Sequence, residues 1–175
     1  KFRGKDEKHA QLIPAFAAKP LFLRFVDQDI NKEASSVAYT ASIAEVNLDA
    51  TPQKVTLTQK LSKLTVTKEL TFYADGHYDI TISLSDNQRY FVYLGQRPEI
   101  TEQMMTVSGA MVYTDDELVT IVEDGDAEGR KTFSGVELIS AFDQYAATIM
   151  YGFSKETNIV VERDRDDNPV VYFDA

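Results

Sequence analysis

The sequence predicts an all-β fold, mainly antiparallel, with little helix. Three observations carry that expectation. Two period-2 runs are joined by a glycine turn, nine other short strand-like runs are separated by turn-rich stretches, and helical periodicity is weak. Many strands with short connections point to an antiparallel sandwich.

In chain order the first expected strand is 21–26, followed by 54–59. Leu64, Val66, Leu70 and Phe72 then share one parity, while Lys63, Thr65, Thr67, Glu69 and Thr71 take the other. Lys68 interrupts the apolar face, which predicts a bulge or a strand end reaching solvent. Ala74-Asp75-Gly76 comes next, its glycine free to adopt the positive φ of a tight hairpin. Tyr78, Ile80, Ile82 and Leu84 alternate cleanly after it against His77, Asp79, Thr81 and Ser83. Further strands are expected at 89–94, 107–113, 118–122, 135–141, 145–151, 158–162 and 170–173. Turns at Asp86-Asn87, Asp115-Asp116, 123–129 and 164–168 separate them. Short helical turns are expected at 30–38 and 99–105. No repeat of 20–50 residues and no low-complexity tract is present.

At 175 residues and 43% apolar content the chain suits one domain with a real core. We expect a basic polar tail or linker over 1–18 and a single domain over 19–175. The net charge of -10 weighs against nucleic acid, because phosphate binding needs clustered Lys and Arg. That charge is polarised: residues 1–20 carry +3, residues 21–98 carry -1 and residues 99–175 carry -12. The absence of Cys excludes disulfides, thiolate zinc sites and cysteine nucleophiles. The stretch 12–26, the best candidate for a membrane span, contains Pro14, Lys19, Pro20 and Arg24 and falls short of the ~20 apolar residues a span needs. A chain beginning at Lys1 without Met reads as an excised piece, so an anchor on either side is compatible with it.

Chemistry-bearing patterns are sparse. His9 lies in the tail and His77 on the polar face of a strand, too few for a zinc site unless carboxylates contribute. Asp124, Asp126, Glu128 and Gly129 fill the first positions of an EF-hand-like loop, but Gly135 stands where a bidentate Glu is required. In the loop Asp164, Asp166, Asn168, Pro169 takes the place of the glycine. Solvated turns explain both. Ser108-Gly109 and Ser134-Gly135 lack a nucleophile elbow, and no phosphate-binding glycine loop exists. No catalytic residue, cofactor site or metal site is therefore expected. Tyr90, Tyr93 and Arg97, in and after the run Tyr90-Phe91-Val92-Tyr93, are the candidate interaction surface, although aromatic strand residues more often belong to a core.

One ordered set of motifs goes further. Leu57-Thr-Gln-Lys-Leu-Ser, then Val66-Thr-Lys-Glu-Leu-Thr-Phe-Tyr-Ala-Asp-Gly-His-Tyr-Asp79, resembles the large periplasmic domain of the YidC/Oxa family of membrane protein insertases. The run from Phe133 to Met150 and the opening Lys19-Pro-Leu-Phe-Leu-Arg-Phe-Val-Asp27 resemble other landmarks of the short, epsilonproteobacterial type. Val136 stands where the family often has Trp, and Ala146 where it often has Phe. The resemblance implies a β-super-sandwich of the aldose-mutarotase-like kind. It also implies a position on the periplasmic face of the inner membrane, within a multi-pass protein whose insertion groove lies outside this chain. Implied partners are the Sec accessory complex SecDF and nascent membrane proteins.

The expected function is a non-catalytic interaction or positioning module of the insertase. A carbohydrate-binding or mutarotase-like sandwich is the alternative, motivated by the strand pattern and by Tyr73 and Tyr90; a calcium-dependent adhesion module is a third reading, motivated by the Asp-rich loops.

Overall fold

The computed structural model describes residues 13, 18–98 and 107–175. His9, most of the tail expected over 1–18 and the helical turn expected at 99–105 lie outside the described residues. The described residues form two compact units: one takes the chain up to Arg24 together with Tyr90–Ala175, the other Phe25–Arg89. The second is inserted between two strands that are neighbours in a sheet, β1 (Leu23–Phe25) and β6 (Tyr90–Gly95).

The first unit is all-β. Its five-stranded sheet has the order β1-β6-β13-β12-β9, with β9 at Arg130–Phe133, β12 at Ile159–Arg163 and β13 at Pro169–Asp174. Its four-stranded sheet has the order β11-β10-β7-β8, with β7 at Gly109–Thr114, β8 at Val119–Glu123, β10 at Val136–Phe142 and β11 at Ala147–Tyr151. All pairings recorded between these strands are antiparallel. One core joins the sheets, with Leu94, Ile159, Val161 and Val171 from one and Ala110, Val112, Ile139 and Ala141 from the other. Two facing sheets bury one side each, as a sandwich requires.

Gly109 opens β7 at φ +149, and a Cβ there would stand 2.1 Å from the Val122 carbonyl oxygen of the neighbouring strand. The expected start of this strand at 107 therefore moves inward, to the residue that permits close backbone approach.

The second unit pairs β2 (Thr40–Ala41), β3 (Gln53–Lys60), β4 (Thr65–Phe72) and β5 (Tyr78–Leu84) in that order. The β4–β5 hairpin turns through Ala74–His77, where the Tyr73 N–H donates to the His77 carbonyl at 3.0 Å and Gly76 has φ +93. Helix α1 (Gln28–Ser36) starts at Asp27, whose Oδ1 accepts the N–H of Asp29 at 2.8 Å and of Ile30 at 3.2 Å. A carboxylate at this N-cap satisfies otherwise orphaned donors, and these bonds hold the Asp27 carboxyl below the usual range with help from Lys63. Ile30 is the buried residue of the helix, and Gln59 ties its C-terminal end to β3 by donating to the Ala34 and Val37 carbonyls at 2.8 and 2.6 Å.

The bulge or strand end expected at Lys68 is not there. β4 runs in unbroken register through Lys68, which faces Leu57 on one side and Ile82 on the other. The side chain is only 6% exposed and its ammonium sits 4.5 Å from the centroid of the Tyr39 ring. A flexible four-carbon stem lets lysine keep its strand position while the ring face receives the charge. Two short strands, β2 and β9, escaped the sequence reading because neither alternates apolar with polar residues.

Candidate functional site

Tyr90 and Tyr93 lie on β6, and alternation sends them to opposite faces of the sheet. Tyr90 shares its parity with Val92 and Leu94, the core side; it is half-buried, and burial raises its hydroxyl pKa. Tyr93 faces the other way with Phe91.

A bulge decides what Tyr93 meets. Val171 pairs with Gly95, but the next residue, Tyr172, pairs with Tyr93, so Leu94 is the extra residue on β6. Gly95 has φ +96, and a Cβ there would lie 2.7 Å from the Pro20 nitrogen. The rings of Tyr93 and Tyr172 consequently stack, and Phe91 meets Tyr172 edge-on at 5.6 Å. Arg24 Nη1 donates to the Tyr93 hydroxyl at 3.2 Å, and the Tyr172 hydroxyl donates to Glu162 Oε2 at 2.7 Å. Desolvation, reinforced by that carboxylate, raises the Tyr172 pKa strongly. Tyr93 and Tyr172 are 9% and 5% exposed, so this outer cluster is a second small core and not an open aromatic platform.

Arg97 goes elsewhere. Its Nε donates to Asp124 Oδ2, and the Ser108 hydroxyl donates to the same oxygen at 2.8 Å. Both side chains of the ion pair are more than four-fifths buried. Asp124 Oδ1 is buried and has no hydrogen-bond partner among the described residues. Among the described residues the three candidates thus occupy three environments. Asp124, 27 residues from Arg97, has no local signal that announces the pairing.

The acidic loops are similarly committed. Asp164 Oδ1 accepts the N–H groups of Asp166 and Asn168, each at 2.9 Å, an Asx-type turn. His77 stacks on Tyr73 at 4.3 Å and bonds Asp75 through Nδ1. Among the described residues no group of three or more acidic or histidine side chains could hold a metal ion.

The surface with the clearest binding character lies on the outer side of the four-stranded sheet. Register places Tyr151, Leu138, Tyr113 and Val119 in one row across the four strands. Ile149, Ser140, Met111 and Ile121 form the next row. On the edge strands Tyr151 is 63%, Ile149 54%, Val119 52% and Ile121 49% exposed. Ser140, the polar member, is itself buried by its neighbours. The sequence did carry a signal for this face. Ala110-Met-Val-Tyr113 and Leu138-Ile-Ser-Ala-Phe142 hold apolar residues at both parities, the composition of strands covered on both sides.

Comparison with known proteins gives a consistent answer. No family model and no solved structure matches the chain. A membrane protein insertase YidC from Campylobacter jejuni is 40% identical over 154 residues, covering 87% of this chain and 29% of that protein. The Wolinella succinogenes YidC is 32% identical over the whole chain and 33% of its own length, and a Helicobacter pylori YidC is 32% identical over 82% of the chain and 26% of its own. The chain thus spans about a third or less of these curated relatives. Three relatives of one name, aligned along most or all of an all-β chain, place it in the family of the YidC membrane protein insertases.

Proposed function

We propose that this chain is a periplasmic, non-catalytic interaction or positioning module of a membrane protein insertase, folding as a single domain over 19–175. The full protein assists insertion and folding of inner-membrane proteins, and the module contacts nascent membrane proteins and SecDF. The observation that carries this reading is the open apolar face of the four-stranded sheet, since exposed contiguous apolar surface marks interaction sites. The commitment of Asp124, Glu162 and His77 to internal pairs supports a passive role. Among the described residues no helix is long and apolar enough to cross a membrane, which accords with a module carried outside the bilayer.

Deletion of residues 19–175 from the full-length insertase tests the reading. The expected result is weaker co-purification with SecDF and slower insertion of inner-membrane proteins. Unchanged association and unchanged insertion would overturn it.

A further inference from the structure

We infer that the outer face of the β11-β10-β7-β8 sheet receives an amphipathic helix of a partner protein whose apolar stripe is flanked by Lys or Arg. This deepens the proposed function and rests on it. Size is the first argument. Four strands about 4.8 Å apart, and two outward rows two residues apart at about 3.3 Å per residue, make a lattice roughly 14 Å by 7 Å. With its side chains the patch is on the order of 400 Å², half of the ~800 Å² per partner of a standard interface. It is too small for a second folded copy of this chain, yet it matches a helix about 10 Å in diameter lying across the strands.

Charge is the second argument. Asp115, Asp116 and Glu117 are exposed in the turn joining β7 to β8, beside Tyr113 and Val119. Glu123 ends β8 opposite Gly109, and Glu137 precedes Leu138 on β10. Lys155 offsets part of this charge, sharing a shallow depression with Asp115 and Glu137. The rim is nevertheless acidic, in the part of the chain that carries -12. Such a rim attracts flanking cations, repels a second identical rim and disfavours an anionic lipid surface.

The row geometry adds a third constraint. Edge-strand residues Ile121 and Ile149 are about half exposed, while Met111 and Ser140 between them are more deeply set. Apolar side chains spaced one helical turn apart would cover these central positions and meet the exposed edge isoleucines.

The test uses the purified 175-residue chain and a fluorescent helical peptide of about 18 residues with a Leu stripe and Lys flanks. Saturable binding is expected, weakened at least ~10-fold by Ile149→Glu or Ile121→Glu and by replacing the peptide's Lys flanks with Glu. Ile149→Thr, which suits an exposed strand, is expected to weaken binding while leaving the melting temperature unchanged. Raising the salt concentration should also weaken binding. No binding of the Lys-flanked peptide, equal binding of the Glu-flanked one, dimerisation abolished by Ile149→Glu, or binding to phosphatidylglycerol vesicles instead would each overturn the inference. In the full-length insertase, SecDF association that depends on residues 19–175 but ignores Ile149→Glu overturns this inference alone. The functional reading then stands.

Discussion

Tyr93 lies flat against Tyr172, ring centroids 4.9 Å apart and 21° from coplanar, because one extra residue on β6 shifts the register. Without that bulge Tyr172 would pair with Leu94, whose side chain belongs to the core on the other face. The stack is therefore a consequence of backbone geometry at Gly95, where the chain passes under residues 18–20.

The polar end of this pair can be separated from its apolar body. Tyr172→Phe keeps the stack and removes the hydrogen bond to Glu162, for an expected loss of about 1–2 kcal/mol. Tyr172→Ala also removes the ring, and about 3–5 kcal/mol is expected. Urea unfolding of both variants checks the difference; equal losses would show that the ring contributes little.

Arg97 and Asp124 form a buried ion pair, so removing one partner strands the other. Arg97→Met is expected to cost about 2–4 kcal/mol, and the double variant Arg97→Met with Asp124→Leu should recover a large part of it. A double-mutant cycle by chemical denaturation gives the coupling directly. Additive losses would argue that the pair is not coupled.

Lys68 makes stability depend on pH in a known direction. Desolvation lowers its pKa from 10.5 to about 8, so between these values the unfolded chain binds the proton more tightly than the folded one. Stability must then rise with pH, by on the order of 2 kcal/mol between pH 7 and 9.5. The facing Tyr39 hydroxyl, pushed up to about 12 by burial, stays neutral through that window. Lys68→Met is expected to lose the slope, as thermal melts across the range will show.

Gly109 and Gly125 separate crowding from backbone strain. Gly109→Ala meets the Val122 carbonyl and is expected to lose more than ~3 kcal/mol or to fail to fold. Gly125→Ala has open space at φ +82 and is expected to lose only about 1 kcal/mol. Expression yield and denaturant midpoints check the contrast.

Eleven strands and the first helix were legible because each reflects a local rule. The period-2 alternation of Tyr78 to Leu84 and the Asp75-Gly76 turn specify a hairpin with no distant partner. The exceptions are instructive. Arg130–Phe133 is an edge strand with three of its four residues exposed, so its side chains carry no apolar alternation. Lys68 reads as an interruption because local periodicity cannot register that the distant Tyr39 ring lies beside it.

For the candidate site the balance reverses. Motif order pointed to the family, and of the two candidate tyrosines Tyr93 is buried in a cluster while Tyr90 is half-buried. Residue types alone could not tell that Tyr93 stacks on Tyr172, that Arg97 is held by Asp124, or that the exposed apolar surface lies on the other sheet. Strand formation depends on neighbours two residues away. The partner of a side chain, and whether solvent or another layer covers a face, depend on segments that meet only when the sheets assemble.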